Sequence, residues 1–216
     1  MHAHRERFNS SKIFPINFEN FGLKDYTTAL TMMQDFTAER DHNTSDQIWF
    51  MEHYPVFSCG IRTDGNDILN KENTPIVKTD RGGQVTYHGP GQLVGYPIIS
   101  LNGYKKSITW FMHSLEQVII NTLKHFDIDS TRKDSLPGVW VEDEKICAMG
   151  VRIAQWVTMH GFALNIKPDM RYFDGMIPCG ILDHGVTSIY DQLHPMVDNN
   201  KIINYLIQEF YKVFTV

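Results

Sequence analysis

Ile177-Pro178-Cys179-Gly180 sets a thiol between a stiff approach and an unhindered amide. Proline restricts the backbone before the cysteine, and glycine leaves the following N–H accessible. Such a thiol could attack a carbonyl carbon, with nearby main-chain N–H groups holding the oxyanion. At the ordinary thiol pKa of ~8.5 only a few per cent is thiolate near neutrality, so a base or cation must stand close. Lys145 is a candidate. It lies in the apolar run Lys145-Ile146-Cys147-Ala148-Met149, where a partly dry setting would make its amine a usable base. The plainer readings are a small turn cysteine and a lysine whose stem packs while its head reaches water.

Cys147 rivals Cys179. Residues two apart on a strand share a face, so Lys145 and Cys147 are expected to point the same way. Against this, Cys147 sits mid-strand among Ile146, Ala148 and Met149, which suits a core residue. The residues alone leave the choice open. With Cys59 there are three cysteines and no CxxC pair, which argues for a reducing cytosol and against a disulfide framework. The ten histidines raise a metal alternative built on His88, His160, His184 and Cys179. None of these has tight ligand spacing, so no metal is expected.

A binding segment stands apart from these groups. Arg81 to Gln92 reads RGGQVTYHGPGQ, with four of the chain's 15 glycines. Glycine permits close approach of main chain to a ligand. The stretch lacks the Gly-Lys-Ser/Thr ending of a phosphate loop and the spacing of a dinucleotide turn. It is too irregular for a helix and too glycine-rich for an ordinary strand.

Several elements must position these residues. A loose apolar stripe predicts a helix over Lys24 to Glu39. Gln47 to His53, Ile76 to Thr79 and Gln92 to Ser100 read as strands. Ser107 to Phe126 is the clearest helix, with apolar residues at spacings of three and four and Ser107 as N-cap. Gly138 to Ile153 reads as two strands joined at Asp143-Glu144, followed by a third from Trp156 to Ile166. After Pro168 the chain reads as loop through the Cys179 segment. A final helix follows Asp198 to Asn200. The pattern is α+β, or mixed α/β, with one main sheet.

At 216 residues one domain over 1–216 is expected, with 1–11 as a flexible N-terminal tail. The formal charge of −5 argues against a nucleic-acid binder that neutralises phosphates. No apolar run approaches the ~18 residues of a membrane span, and the N-terminus lacks a signal-peptide core. A cytoplasmic protein without membrane or nucleic-acid partners is expected.

Three segments in order, RGGQVTYHGPGQ (81–92), GVWV…KICAMGVRI…MHGFALNI (138–166) and IPCGI (177–181), closely resemble the lipoyl(octanoyl) transferases. Weaker similarity runs from about residue 12 to about residue 214. The resemblance implies the biotin/lipoate protein ligase-like fold, a mixed β-sheet flanked by helices. It implies transfer of octanoyl from octanoyl-acyl carrier protein to a lysine of lipoyl domains, in 2-oxoacid dehydrogenase complexes and the glycine cleavage H protein. Cys179 would be the acyl-thioester nucleophile and Lys145 its activator, which breaks the tie with Cys147. Acyl-binding positions would be Arg81, Gly82, Gly83, Gln84, Val85, Thr86, Tyr87, His88, Ala148, Met149, Gly150, Gly161, Phe162 and Ala163, with His160 and Gly180 in support. The resemblance implies a monomer with no cofactor. Cys59 stands where the family does not usually have cysteine, which bears on packing. Apolar residues such as Leu93, Tyr87, Met149 and Phe162 are expected to close the acyl pocket. Two alternatives stay open: an ATP-dependent lipoate ligase on the same fold, and an acyl-binding module without turnover.

Overall fold

The computed structural model describes residues 16–64, 67–68, 74–176, 185–194 and 197–214. The expected tail at 1–11, His184, Cys179 and Gly180 lie outside the described residues.

The described chain forms two sheets. The larger contains β1 (Asn17–Lys24), β2 (Gln47–His53), β6 (Gln92–Ile98), β10 (Val157–Asn165), β9 (Glu144–Ala154), β8 (Leu136–Val141) and β7 (Thr131–Lys133), side by side in that order. A short β11 (Gly185–Val186) pairs in parallel with β9. The β1–β2 pair is parallel; the β2–β6, β6–β10, β10–β9, β9–β8 and β8–β7 pairs are antiparallel. The smaller sheet holds β4 (Ile76–Lys78), β3 (Val56–Cys59) and β5 (Val85–His88). The mixed α/β class holds, but the expectation of one main sheet needs the smaller one added. The glycine stretch supplies β5, because Val85, Thr86 and Tyr87 favour strand once the glycines have turned the chain.

One face of the large sheet is closed by α2 (Ile108–Lys124) and α4 (Asn199–Phe214). The spacing of Phe111, Leu115, Val118, Ile119 and Leu123 puts them on one side of α2, where each is fully buried. Burial of such a side chain contributes roughly 1.5–3 kcal/mol. Ser107 caps this helix by accepting from the Trp110 N–H at 3.2 Å. α1 (Tyr26–Glu39) is capped by Asp25 and starts two residues later than the sequence suggests, because β1 runs through Lys24. Met170–Gly175 forms a 3-10 helix where loop is expected, and α3 (Ile189–Leu193) is a further short helix.

Candidate active site

Strands from both sheets enclose a cavity of about 70 Å³. Gln92, Val94 and Tyr96 of β6 line it, as do Gly161, Ala163 and Asn165 of β10. The alternation is that of a strand face. Leu93 falls on the other face and packs in the helix-side core. From β9 come Lys145, Ala148, Met149 and Gly150; from the glycine stretch come Arg81, Gly83, Gln84, Val85, Thr86 and His88. Tyr26, Phe173, Met176 and Val186 complete the wall. Between the levels of Asn165 and Gly161, β10 advances about 13 Å.

Lys145 reaches the cavity through a break in the ladder. In the β8–β9 pair Val139 faces Cys147 and Trp140 faces Lys145, so one residue of β8 spans two of β9. Ile146 is the additional residue. Such a bulge reverses the facing of everything before it. Cys147 and Ile146 therefore enter the helix-side core, both fully buried, while Lys145 turns to the cavity. The expectation that Lys145 and Cys147 share a face is corrected for this reason. Burial raises the Cys147 thiol pKa strongly, so it is an inert core thiol. Cys59 is also buried, in the cluster of Phe57, Val85 and Tyr87.

The Lys145 stem has a prepared bed. Gly138 has φ +126°, and a Cβ there would lie 2.5 Å from the Cys147 carbonyl and 3.5 Å from Lys145 Cδ and Cε. The Trp140 ring lies beside the Lys145 Nζ, 4.7 Å from centroid to nitrogen. Lys145 is 9% exposed and Trp140 2%.

Polar side chains run along the cavity in a directed chain that ends beside Lys145. Arg81 Nε and Nη2 donate to Ser58 Oγ at 3.2 and 3.0 Å, and Nη2 donates to the Ser58 carbonyl at 2.6 Å. Ser58 Oγ lies 3.1 Å from His88 Nε2, and His88 Nδ1 lies 2.7 Å from Gln92 Oε1. Because the Gln92 oxygen can only accept, His88 carries its proton on Nδ1 and accepts from Ser58 at Nε2. Gln92 then donates to Asn165 Oδ1 at 2.9 Å, and Asn165 donates to the Thr187 carbonyl at 3.0 Å. Thr187 N–H returns to the Lys145 carbonyl at 3.1 Å. Burial holds His88 neutral, its pKa well below the usual value.

Tyr26 stacks on the His88 ring with centroids 5.4 Å apart. Tyr96 donates to His53 Nε2 at 2.7 Å, and His53 Nδ1 donates to the Lys24 carbonyl at 3.0 Å. Desolvation lowers the His53 pKa to about 4. These aromatic groups wall the end away from Lys145. His160 sits at the same end with φ +58°. Its Nε2 pairs with Asp80 at 2.9 Å, and Asp80 also pairs with Arg152 at 3.1 Å.

Of the positions drawn from the sequence, Lys145, Arg81, Gly83 to Thr86, His88, Ala148 to Gly150 and His160 to Ala163 come together around this cavity. Phe162 borders it, though its ring lies over Gly95 and stacks toward Phe210 at 6.3 Å. Gly82 and Tyr87 are not on its wall. Gly82 serves backbone contact instead: its N–H bonds the Val151 carbonyl at 2.9 Å, and a Cβ on Gly150 would lie 2.7 Å from its oxygen. Tyr87 is buried in the cluster with Phe57, Val85 and Met176, where it stacks on Tyr172 at 4.5 Å. Tyr26, Ser58, Gln92, Tyr96 and Asn165 were not picked out. Gln92 and Asn165 carried a signal, each being polar within an apolar strand.

Comparison with known proteins adds three findings. Residues 25–211 match the lipoyl protein ligase A/B catalytic domain family. The octanoyltransferase of Rhodospirillum rubrum is 40% identical over 195 residues, covering 88% of this chain and 90% of that one. Those of Legionella pneumophila (strain Corby) and Aliivibrio fischeri are 38% and 43% identical, covering 90% and 86% of this chain and 98% and 80% of theirs. Among solved structures, a lipoate-protein ligase A bound with ATP superposes with a TM-score of 0.78 at 14% identity, over 92% of this chain and 85% of that one. Biotin protein ligase from Aquifex aeolicus gives 0.54 at 9% identity, over 94% and 70%. At such identities these two structures speak for the fold alone.

Proposed function

The chain belongs to the lipoyl protein ligase A/B catalytic domain family and, within it, to the octanoyltransferases; from this premise we propose how its residues carry out the transfer. It is an acyltransferase that moves octanoyl groups in protein lipoylation. The donor is octanoyl-acyl carrier protein, and the acceptor is a lysine of lipoyl domains, including the glycine cleavage H protein. Cys59 and Cys147, both free thiols, support a reducing compartment, the cytosol, as the place of work. The chain acts as one catalytic domain.

One observation carries the chemical reading: a buried lysine is turned by a bulge into one end of a largely apolar cavity. The segment containing Cys179 is attached on both sides at this cavity. Met176 lines it before the segment, and Val186 lines it afterwards while pairing directly with Lys145. Cys179 follows Met176 by three residues, at most about 11 Å of chain. That reach supports Cys179 as the partner of Lys145.

Two exchanges complete the reaction. Lys145 Nζ takes the proton from Cys179 Sγ, and the thiolate attacks the thioester carbonyl carbon. The bond from that carbon to the carrier thiol breaks, and the Lys145 ammonium returns its proton to the departing thiolate. The octanoyl group is now a thioester on Cys179, at little net free-energy change. The acceptor lysine, as free amine, attacks the same carbon. The C–Sγ bond breaks, an amide forms, and the amine proton restores the thiol.

The cavity holds the acyl chain meanwhile. Each buried CH₂ contributes roughly 0.8 kcal/mol, so burial alone favours ever longer chains. Rejection of those needs a stop. Tyr26 and Tyr96 supply it at the end away from Lys145, in place of Leu93 and Tyr87. Intact-mass measurement after mixing with octanoyl-acyl carrier protein should show one octanoyl group on Cys179. Full transfer to a lipoyl domain by Cys179→Ala would refute the assignment, and formation of a lipoyl adenylate from ATP would favour ligation.

A further inference from the structure

We propose that Trp140 is a positioning residue for the reaction: the face of its indole holds the Lys145 ammonium and stabilises the protonated state that the first exchange creates. The inference rests on the Cys179–Lys145 reading above and deepens it.

The geometry is specific. Trp140 and Lys145 are direct cross-strand partners across the bulge. Their Nζ-to-centroid distance of 4.7 Å falls within the ~6 Å at which an ammonium is drawn to the negative face of an aromatic ring. Both are buried, and removal from water strengthens this attraction. The ring is itself fixed, since its Nε1 donates to the Leu136 carbonyl at 3.2 Å. Gly138 leaves the Lys145 stem its path along β8. Thus the amine has a seat whose chemistry distinguishes its two protonation states. An ammonium is held by the ring face, whereas a neutral amine gains little from it.

The charged neighbours do not make this seat redundant. Lys133 Nζ lies 4.9 Å from the same ring and is paired with Asp143 at 2.5 Å. Glu116, on α2, is paired with Arg132 at 3.0 Å and accepts from the Gly138 N–H at 3.2 Å. Glu144 lies beside Gly185, and Cys147 faces the core. Glu116 and Asp143 thus each have a cationic partner other than Lys145. The aromatic face serves as a neutral support that cannot itself take the thiol proton.

The test changes the ring's electrostatics while keeping its shape. The chain has four tryptophans, so fluorinated tryptophan is incorporated at all four, with one, two or four fluorines, into the full-length parent and into a Trp140→Phe background. Octanoylation of Cys179 from octanoyl-acyl carrier protein is timed by intact mass. We expect the parent's rate to fall stepwise with fluorine number, by about two- to thirtyfold in total, and the background variant's rate to stay flat. A flat parent, or equal slopes in both, overturns the proposal. As a second measure Trp140→Phe should keep more activity than Trp140→Leu at matched thermal stability; equality of the two overturns it as well. Lys145→Gln and Cys179→Ala run alongside. If both are inactive and fluorination has no effect, Trp140 alone is wrong. If Cys179→Ala transfers at the parental rate, the dyad reading falls and the Trp140 role falls with it.

Discussion

One wall of the cavity is a relay of successive hydrogen-bonded polar atoms that runs from Arg81, near the Tyr26 end, to Thr187, whose N–H meets the Lys145 carbonyl. At the Lys145 end the wall is made by a ladder that skips a residue, a glycine at positive φ and an amine on an indole face. The relay is held by hydrogen bonds between groups that are neutral or permanently charged, so its shape is fixed. The second is held by an irregularity, and under the proposed mechanism its group changes protonation during each turnover. A molecule that measures a chain needs the first kind of construction, and one that exchanges protons needs the second. Both can border one cavity because β9 and β10 run its whole length.

The contrast is broken most strongly at the reactive end. Lys145→Gln should lower kcat for acyl transfer by about 10²- to 10⁴-fold, the usual worth of a positioned proton-transfer group, with little change in thermal stability. Steady-state kinetics beside a melting curve separates the two. A variant with near-parental kcat would show that the bulge presents Lys145 for some other purpose.

The fixed end makes a pH prediction. His53 has a pKa of about 4 when folded and ~6.5 in an open chain. Between these values the unfolded state binds more protons, so stability rises with pH. The contribution is full above about pH 6.5 and is lost as pH falls toward 4, on the order of 3 kcal/mol at most. Denaturant titrations at pH 7, 5.5 and 4.5 measure it. Buried His88 acts in the same direction. His53→Gln should flatten part of the slope; an unaltered slope would place the acid sensitivity elsewhere.

A smaller loss is expected from His88→Leu. It leaves Ser58 and Gln92 without a shared partner, at about 1–3 kcal/mol for a buried unsatisfied group. For a chain of this size that is roughly 2–12 °C in Tm. If calorimetry finds no change, the relay is not what stiffens this end.

The finest effect concerns chain length. Tyr26→Leu should raise the decanoyl-to-octanoyl ratio of kcat/KM by up to about fifteenfold, two methylenes at roughly 0.8 kcal/mol each. Leu93→Ala, on the other face of the sheet, should leave the ratio alone. The reverse pattern would move the stop back to where the sequence had suggested it.

Helix positions were readable because apolar spacing at three and four reports one buried side, as α2 and α4 confirm. That Lys145 is a buried amine was readable from its apolar company. The break beneath it was not, because Lys145-Ile146-Cys147 looks like any regular strand and the skip exists only relative to β8. Tyr87 and Leu93 were misplaced because their size suggested a wall. Alternation would have excluded Leu93 once Val94 and Tyr96 were placed. Ser58, Gln92 and Asn165 come from three distant segments, and only the folded register assembles their relay. The glycines of the Arg81 segment were read as room for an acyl chain. The close packing instead depends on Gly150 and Gly60, where an added Cβ would lie 2.7 and 2.3 Å from the carbonyl oxygens of Gly82 and Gly83.

The extra residue at Ile146 also acts as a folding check. Were β8 and β9 to zip together without it, Lys145 would join Cys147 on the side packed by α2 and α4. An ammonium there, among Val139, Leu115 and Ile119, would be severely desolvated, beside a Glu116 already paired with Arg132. The Lys145 charge itself therefore vetoes the regular hairpin. Neutral Lys145→Met lifts that veto, so it should relax pairing specificity. In this strand, the amine that the bulge presents to the cavity also proofreads the register that exposes it.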